Sequence, residues 1–163
     1  LEMTSRGIAC QCIRCREVRQ ERIDASQLAL RDIVYQPDYL AGEAATEEHF
    51  ISYVTPNDKI AGYLRLSLPV HVEGERDTCL NDLRESAIIR EIHVYGQSLQ
   101  VGTEQSGAAQ HIGLGTSLIK EAERITRSAG INRLSVISAI GTRIYYRGRG
   151  FLDGNLYQWK PLS

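Results

Sequence analysis

Two glycines at the start of a strongly amphipathic segment are the first residues whose type and spacing suggest chemistry. Gly113 and Gly115 fall within residues 110–115. The helix predicted to follow them has unpaired N–H groups and a positive partial charge at its first turn. Since glycine lacks a side chain, a phosphate can approach the backbone closely there. The stretch therefore predicts a turn that holds an anion; the alternative is an ordinary turn into a helix.

Elements able to position this stretch lie on both sides of it. Residues 87–95 are rich in β-branched and apolar side chains, which predicts a buried strand. On the other side, apolar residues recur at helical spacing: Leu114, Leu118, Ile119, Ala122, Ile125 and Ala129. Gly130 is predicted to end that helix.

The rest of the chain predicts an α+β fold around one mixed sheet. Further strands are predicted at residues 28–35, 49–54, 60–68 and 133–138, a short helix at 142–147, and a final hairpin around 153–155. A tight turn at 55–59 joins two of the strands. Residues 43–48 are interpreted as an acidic turn, and residues 69–86 and 96–107 as surface loops.

Composition favours one domain with a real core and excludes an overall basic protein. The chain has 163 residues, 42% of them hydrophobic, and a net charge of −1. Charge is uneven: residues 32–86 carry four basic and eleven acidic side chains, whereas residues 87–163 carry nine and five. The glycine stretch lies in the basic part. Without an apolar run of transmembrane length or a signal peptide, a cytoplasmic protein with no membrane contact is expected.

Three cysteines crowd the start of the chain, and only one more exists. They are Cys10, Cys12 and Cys15, with Cys79 far along the sequence. Four thiolates can hold a zinc ion tetrahedrally with no open position, which predicts a structural zinc site. Residues 1–20 would then form a zinc-binding junction before a domain at 21–163. Free or redox-active thiols and an iron–sulfur cluster are the alternatives.

Arginines accompany the cysteines. Arg14, Arg16 and Arg19 surround or follow them. They either belong to a solvated segment, balanced by neighbouring glutamates, or form a basic edge that contacts the phosphates of a nucleic acid.

The spacing Gln-x-x-Gly-x-Gly at residues 110–115 resembles the pyrophosphate loop of the GNAT acetyltransferases, which bind acetyl-CoA. The predicted order of elements also matches the GNAT fold. In that fold two central strands splay apart, and the pantetheine arm of the cofactor lies in the gap. The resemblance therefore implies a GNAT acyltransferase fold with helices flanking a mixed, splayed sheet.

A narrower resemblance covers roughly residues 5–162. Residues 90–96, 110–115, 121–124, 136–138 and 141–147 look like motifs of the acetyltransferase domain of the Elongator catalytic subunit. The cysteine-rich start is similar to the zinc-linked junction of prokaryotic members. That family implies a tRNA-modifying enzyme in which acetyl-CoA supplies a two-carbon unit for a carboxymethyl-type group at carbon 5 of the wobble uridine.

In the family this domain works with a radical-SAM domain that carries an iron–sulfur cluster and uses S-adenosylmethionine. No cysteine precedes Cys10, so the chain is expected to be an isolated acetyltransferase domain without that partner. It is expected to bind acetyl-CoA but not to complete the modification.

The resemblance also implies roles for individual residues. The strand residues Glu91, Ile92, His93 and Val94 would pair with pantetheine, although His93 is alternatively a core histidine. N–H groups for the pyrophosphate would come from Gln110, His111, Ile112, Gly113, Leu114 and Gly115. Tyr146, with Tyr145 as the second choice, would protonate the departing thiolate. Arg147 and Arg149 would bind CoA or tRNA phosphates, or face solvent.

Three function classes remain open from the sequence. The first is the acetyl-CoA-using domain of a tRNA uridine modification enzyme, with hydrolysis of acetyl-CoA gated by tRNA. The second is a conventional lysine or small-amine N-acetyltransferase, because the fold does not fix the substrate. The third is a binding module for tRNA or a protein partner that has lost turnover.

Overall fold

The structure is a computed structural model, and it describes residues 6–7, 9–19, 23–37, 46–70, 80–95 and 109–162. Of residues 109–112 only the backbone is described. The helices are α1 (Ile13–Arg16), α2 (Ala109–Ser128) and α3 (Arg143–Arg147). The strands are β1 (Ala29–Tyr35), β2 (Thr46–Val54), β3 (Ile60–Pro69), β4 (Ala87–Val94), β5 (Arg133–Val136), β6 (Leu152–Asp153) and β7 (Gln158–Pro161).

The described strands form one seven-stranded mixed sheet in the order β1-β2-β3-β4-β5-β7-β6. Neighbouring strands are antiparallel except β4 and β5, which are parallel. Helix α2 connects these two strands, as parallel strands require a crossover. The predicted α+β class is confirmed.

The main core lies between the sheet and α2. Alternation in β3 places Leu64 and Leu66 on the helix side, where both are fully buried. Leu118 and Ala122 of α2 pack in the same cluster and are also fully buried. The predicted apolar face of the helix is confirmed from Leu114 to Ile125.

The C-terminal end of α2 shows one prediction right and one wrong. Gly130 has φ +75°, and the N–H of Ile131 donates to the carbonyl of Thr126. This is the left-handed cap that glycine favours. Ala129, predicted on the apolar face, is exposed, because the helix ends at Ser128 and the chain has already turned away from the sheet.

The acidic turn predicted at 43–48 is wrong for its last three residues, because β2 begins at Thr46. Glu48 is buried within this strand, and its Oε2 lies 3.1 Å from Nη1 of Arg90 on β4. A buried carboxylate is tolerated when a cation pairs with it. Residues 43–45 lie outside the described residues.

Much of the two predicted surface loops, residues 71–79 and 96–108, also lies outside the described residues. Within residues 80–86 one short 3₁₀ turn forms, Asn81–Leu83. No helix among the described residues combines the length and apolar character needed to cross a bilayer.

Candidate functional site

A gap opens in the middle of the sheet between β4 and β5. The two strands pair over only three residues each, and the last pair is Ile89 with Val136. Strand β4 continues to Val94, and no described strand pairs with this part of β4 on the β5 side. Backbone N–H and C=O groups along that edge are therefore available to a ligand.

A bulge in β4 coincides with the point where the gap begins. On β3, Arg65 pairs with Glu91 and the next residue, Leu66, pairs with Ile89, which leaves Arg90 without a partner on β3. An extra residue of this kind bends the strand and increases its twist. The bulge thus separates the part of β4 that pairs with β5 from the part that does not.

Helix α2 begins beside this gap, earlier than the sequence suggested. The glycine turn predicted at residues 110–115 is wrong as a secondary-structure assignment, because these residues lie in the first turns of a helix that starts at Ala109. A Cβ on Gly115 would stand 2.5 Å from the hydroxyl of Tyr145 and 3.6 Å from a methyl group of Val94. Glycine is therefore required where α2 crosses β4 and α3 closely.

Gly113 differs from Gly115. A Cβ there would meet no atom within 4 Å, so the space beside Gly113 is open. Packing with the described residues does not explain this glycine, whereas a ligand close to the backbone would. For Gln110, His111 and Ile112 the structure describes only the backbone.

The adjacent tyrosines of α3, Tyr145 and Tyr146, differ in burial and in the residues that they contact. Tyr146 is 5% exposed, shares the main core cluster with Ile89 and Val136, and packs edge-on against Phe151. Burial raises the pKa of Tyr146 to about 12. Tyr145 is 36% exposed, and its hydroxyl faces Gly115.

Arg149 holds Tyr145 against the start of α2. Its guanidinium carbon lies 3.4 Å from the centre of the Tyr145 ring, a cation–π contact. Nη2 donates to Oγ1 of Thr116 at 2.9 Å, and Nη1 donates to the carbonyl of Tyr145 at 2.8 Å. Arg147 is paired with Asp153 at 2.6 Å, which raises the pKa of Arg147. Both arginines predicted to bind phosphates therefore have partners within the chain.

The side chains of the four strand residues predicted to pair with pantetheine lie on both faces of the sheet. Ile92 and Val94 pack against the main core cluster, on the α2 side. Glu91 and His93 lie on the opposite face, where Glu91 accepts a 2.8 Å hydrogen bond from the Tyr63 hydroxyl and lies 3.0 Å from Nε2 of His93. The alternative of a core histidine is wrong, because 55% of the His93 side chain is exposed.

Tyr63 was not identified from the sequence as part of this region. It is 4% exposed, and burial together with the hydrogen bond to Glu91 raises its pKa. The alternation of β3, which put Tyr63 on the same face as Arg65, was the available signal. Its partner Glu91 lies 28 residues away, so the pair itself was not visible in the sequence.

The three N-terminal cysteines come together. The sulfurs of Cys10, Cys12 and Cys15 all lie within 4.8 Å of one another and are exposed. Sulfurs of a tetrahedral zinc site lie about 3.8 Å apart, given the usual zinc–sulfur length. The donor set therefore fits a thiophilic ion. Cys79, the predicted fourth ligand, lies outside the described residues.

The cysteine segment is fixed to the turn between β2 and β3. Nη2 of Arg16 donates to Oδ1 of Asp58 at 2.8 Å, and Nζ of Lys59 donates to the carbonyl of Cys15 at 3.0 Å. Val18 is fully buried, and its N–H donates to the carbonyl of Ile60. Arg16 thus helps to fix the cysteine segment to the β2–β3 turn. Arg14 is exposed, and it has no acidic partner in the described part of the chain.

Known proteins resemble the chain over nearly its whole length. It is 35% identical over 155 residues to the tRNA uridine(34) acetyltransferase of Dehalococcoides mccartyi, covering 91% of this chain and 32% of that protein. It is 36% identical over 164 residues to Elongator complex protein 3 of Homo sapiens, covering 99% of this chain and 29% of that protein. The chain thus spans about a third of the length of these relatives. No protein-family model matches it.

Solved structures agree with the sequence comparison. The archaeal Elp3 of Methanocaldococcus infernus with an N-terminal deletion superimposes with a TM-score of 0.71 at 29% identity, over 99% of this chain and 37% of that one. An acetyltransferase from Bacillus cereus shares the fold with a TM-score of 0.51 at 15% identity, over 77% of this chain and 79% of that one. Over nearly its whole length the chain is therefore similar to about a third of Elongator complex protein 3 and of the tRNA uridine(34) acetyltransferase, and it has the GNAT fold.

Proposed function

We propose that the chain binds acetyl-CoA in the gap between β4 and β5 and is the acetyl-donor domain of a tRNA-modifying enzyme. The observation that carries this proposal is the end of the β4–β5 ladder at Ile89 and Val136, next to the bulge at Arg90. Within the described ranges, no strand pairs with one backbone edge of residues 90–94, which lies beside the start of α2. A ligand with amide groups can pair with that edge as an additional strand would.

Two features of α2 suit the pyrophosphate of acetyl-CoA. The first N–H groups of the helix have no intrahelical partner, and the helix dipole favours an anion there. The open space beside Gly113 allows a phosphate to approach the backbone. Because α2 begins at Ala109, the free N–H groups among residues 110–115 are those of Gln110 and His111, which would bind the pyrophosphate. Ile112, Gly113, Leu114 and Gly115 use their N–H groups within the helix and would only border the site, which corrects the expectation that they also donate. Glu91, Ile92, His93 and Val94 would hold the pantetheine arm through their backbone.

Tyr146 is the proposed general acid. When bound, acetyl-CoA supplies its acetyl group as a thioester, whose cleavage leaves a thiolate. The raised pKa keeps the Tyr146 hydroxyl protonated at neutral pH, so it can donate its proton to that thiolate. The hydroxyl makes no hydrogen bond within the described residues, and its ring is held by Phe151. Tyr145 is proposed to keep α2 in position through its contact at Gly115.

The proposed acceptor is the wobble uridine of a tRNA, in keeping with the name of the Dehalococcoides mccartyi relative. The acetyl unit would become a carboxymethyl-type group at carbon 5 of that base. The relatives are about three times longer than this chain, which leaves room for the proposed radical-SAM partner domain with its iron–sulfur cluster and S-adenosylmethionine. A cytoplasmic location follows from the same proposal.

Zinc and tRNA contacts complete the proposal. Cys10, Cys12 and Cys15, with Cys79 as the fourth ligand, would hold a structural zinc ion beside the β2–β3 turn. Arg14 and Arg19 are the proposed phosphate contacts of this segment. Hydrolysis of acetyl-CoA is proposed to rise only when tRNA is bound.

Release of free CoA from acetyl-CoA tests the proposed function. The assay compares the chain alone with the chain plus a tRNA whose wobble uridine is unmodified. Release that rises with tRNA supports the proposal. Release that responds to lysine peptides or polyamines instead would replace it with a conventional N-acetyltransferase, and binding of tRNA without any acetyl-CoA binding would replace it with a binding module.

A further inference from the structure

A row of aromatic rings crosses the sheet on the face opposite α2. Phe50 of β2 stacks on Tyr63 of β3, with ring centres 5.1 Å apart. Tyr63 stacks on His93 of β4 at 5.4 Å and 28°, and His93 stacks on Tyr95 at 6.4 Å and 17°. This aromatic row contributes nothing to the proposed acetyl-CoA contacts, which use the backbone of β4.

The two inner rings of the row differ in exposure, while the end rings Phe50 and Tyr95 are partly buried. Tyr63 is 4% exposed, whereas His93 is 55% exposed. Glu91 fixes the orientation of the exposed ring, because its Oε1 lies 3.0 Å from Nε2 of His93 and also accepts the hydroxyl of Tyr63. An exposed ring that is oriented in advance loses little conformational freedom when a flat ligand stacks on it.

The charges near the row are mixed: the carboxylate of Glu91 lies beside His93, and an exposed arginine belongs to the segment that packs on the same face. Ile13 of α1 packs against the cluster that contains Tyr63 and Tyr95, so the cysteine segment lies on the same face as the row. Arg14, the next residue, is exposed and has no acidic partner in the described part of the chain. Stacking rings beside exposed arginine are the means by which proteins bind single-stranded nucleic acid.

We propose that the His93 ring, backed by Tyr63 and Tyr95, is a platform on which an unpaired base of an RNA loop stacks, with Arg14 contacting the RNA backbone. This rests on the proposed function, since the tRNA is the RNA in question. His93 pairs with Tyr63 on β3, and no described strand pairs with this part of β4 on the β5 side, so a base stacked on His93 lies near the gap. Stacking of this kind tolerates any base, so the platform positions the loop without selecting its sequence.

Fluorescence anisotropy with a labelled anticodon stem-loop RNA tests the platform. His93→Ala is expected to weaken binding about five- to 150-fold, the range for one base on one aromatic ring. His93→Phe keeps a ring and is expected to stay within about threefold of the wild type. Tyr157→Ala, which removes a partly exposed ring far from the row, is the matched control. Thermal melting verifies that each variant is folded.

Salt dependence separates stacking from phosphate contact. Arg14→Ala is expected to reduce the slope of log affinity against log salt by about one, whereas His93→Ala leaves that slope unchanged. Wild-type affinity in the His93→Ala variant, or equal losses in His93→Ala and His93→Phe, would overturn the proposal. So would an absence of RNA binding by the wild-type chain.

The adenine ring of acetyl-CoA is also a flat base, and competition distinguishes it from RNA. The platform proposal expects saturating acetyl-CoA to leave RNA bound; displacement of the RNA by acetyl-CoA would assign His93 to the cofactor and overturn the proposal. Acetyl-CoA binding by the wild-type chain is measured separately by calorimetry. If the wild-type chain does not bind acetyl-CoA, the proposed function is refuted, whereas the test of RNA stacking on His93 remains valid.

Discussion

The hydroxyl of Tyr145 lies 2.5 Å from the position that a Cβ would occupy on Gly115. This contact joins the first turns of α2 to α3, and Arg149 strengthens it by covering the Tyr145 ring and donating to Thr116. Helices α2 and α3 are therefore held together by the close approach at Gly115 and by the two contacts of Arg149.

Substitution of the two helix glycines should have opposite effects on stability. Gly113→Ala is expected to raise the free energy of unfolding by roughly 0.5–1 kcal/mol, because alanine favours the helix and the space is open. Gly115→Ala gains the same helix preference but displaces the Tyr145 hydroxyl, and a net loss of about 1 kcal/mol is expected. Urea denaturation measures both.

Tyr145→Phe provides the control for this comparison. It removes the oxygen nearest to the added Cβ, so Gly115→Ala in that background should be stabilising, as Gly113→Ala is. Equal stability changes for Gly113→Ala and Gly115→Ala in the wild-type background would show that the close approach is unimportant.

Gly113→Leu should abolish acetyl-CoA binding without unfolding the chain. A large side chain fills the open space that the proposed pyrophosphate contact needs, and its Cβ meets no described atom within 4 Å. Isothermal titration calorimetry gives the affinity, and circular dichroism verifies the fold. Normal affinity in this variant would refute the assignment of residues 110–115.

Stability at high pH should report the buried hydroxyl of Tyr146. Its pKa is raised to about 12, so between pH 10 and pH 12 the unfolded chain loses a proton that the folded chain keeps. Stability is then lost as pH rises through this window. The wild type is expected to lose about 1 kcal/mol more than Tyr146→Phe between about pH 9 and about pH 11. Parallel pH profiles for the two proteins would contradict the burial argument.

Tyr146→Phe should also slow CoA release by roughly 100-fold or more if the hydroxyl acts as the general acid. Tyr145→Phe, which retains the buried phenol, should have a much smaller effect. A larger loss of CoA-release rate in Tyr145→Phe than in Tyr146→Phe would instead identify Tyr145 as the general acid.

The cysteine cluster should bind one zinc or cobalt ion per chain. Cobalt is expected to give thiolate charge-transfer absorption, which Cys12→Ser weakens because it removes one of the three converging sulfurs. Cys79→Ser tests the predicted fourth ligand in the same spectrum. Elemental analysis that finds no metal, together with folding resistant to a chelator, would exclude the site.

Local patterns in the sequence were enough to predict most elements of the fold. Alternation in β3 and the apolar spacing of α2 put Leu64 and Leu118 in the core, and Gly130 marked the end of the helix. The start of α2 was misplaced because glycine indicates turns in general, whereas Gly115 is needed inside this helix for a contact with Tyr145.

Long-range partners could not be predicted in this way. Glu48 looked like part of an exposed acidic turn because its cation, Arg90, is 42 residues away. Two of the arginines predicted to bind phosphates have acidic partners that the sequence did not reveal: Arg16 pairs with Asp58 and Arg147 with Asp153. Such pairs depend on which strands and turns become neighbours in the fold. The periodicity of the sequence predicts the individual elements but not which of them lie side by side.

Hydrogen exchange with and without acetyl-CoA tests whether the cofactor binds in the gap, because it locates the ligand on the backbone. We expect slower exchange in peptides that cover residues 90–94 and the first turns of α2, and no change in the β1–β2 region. Protection confined to other parts of the chain, or none at all at saturating acetyl-CoA, would contradict the assignment of the gap between β4 and β5 as the cofactor site.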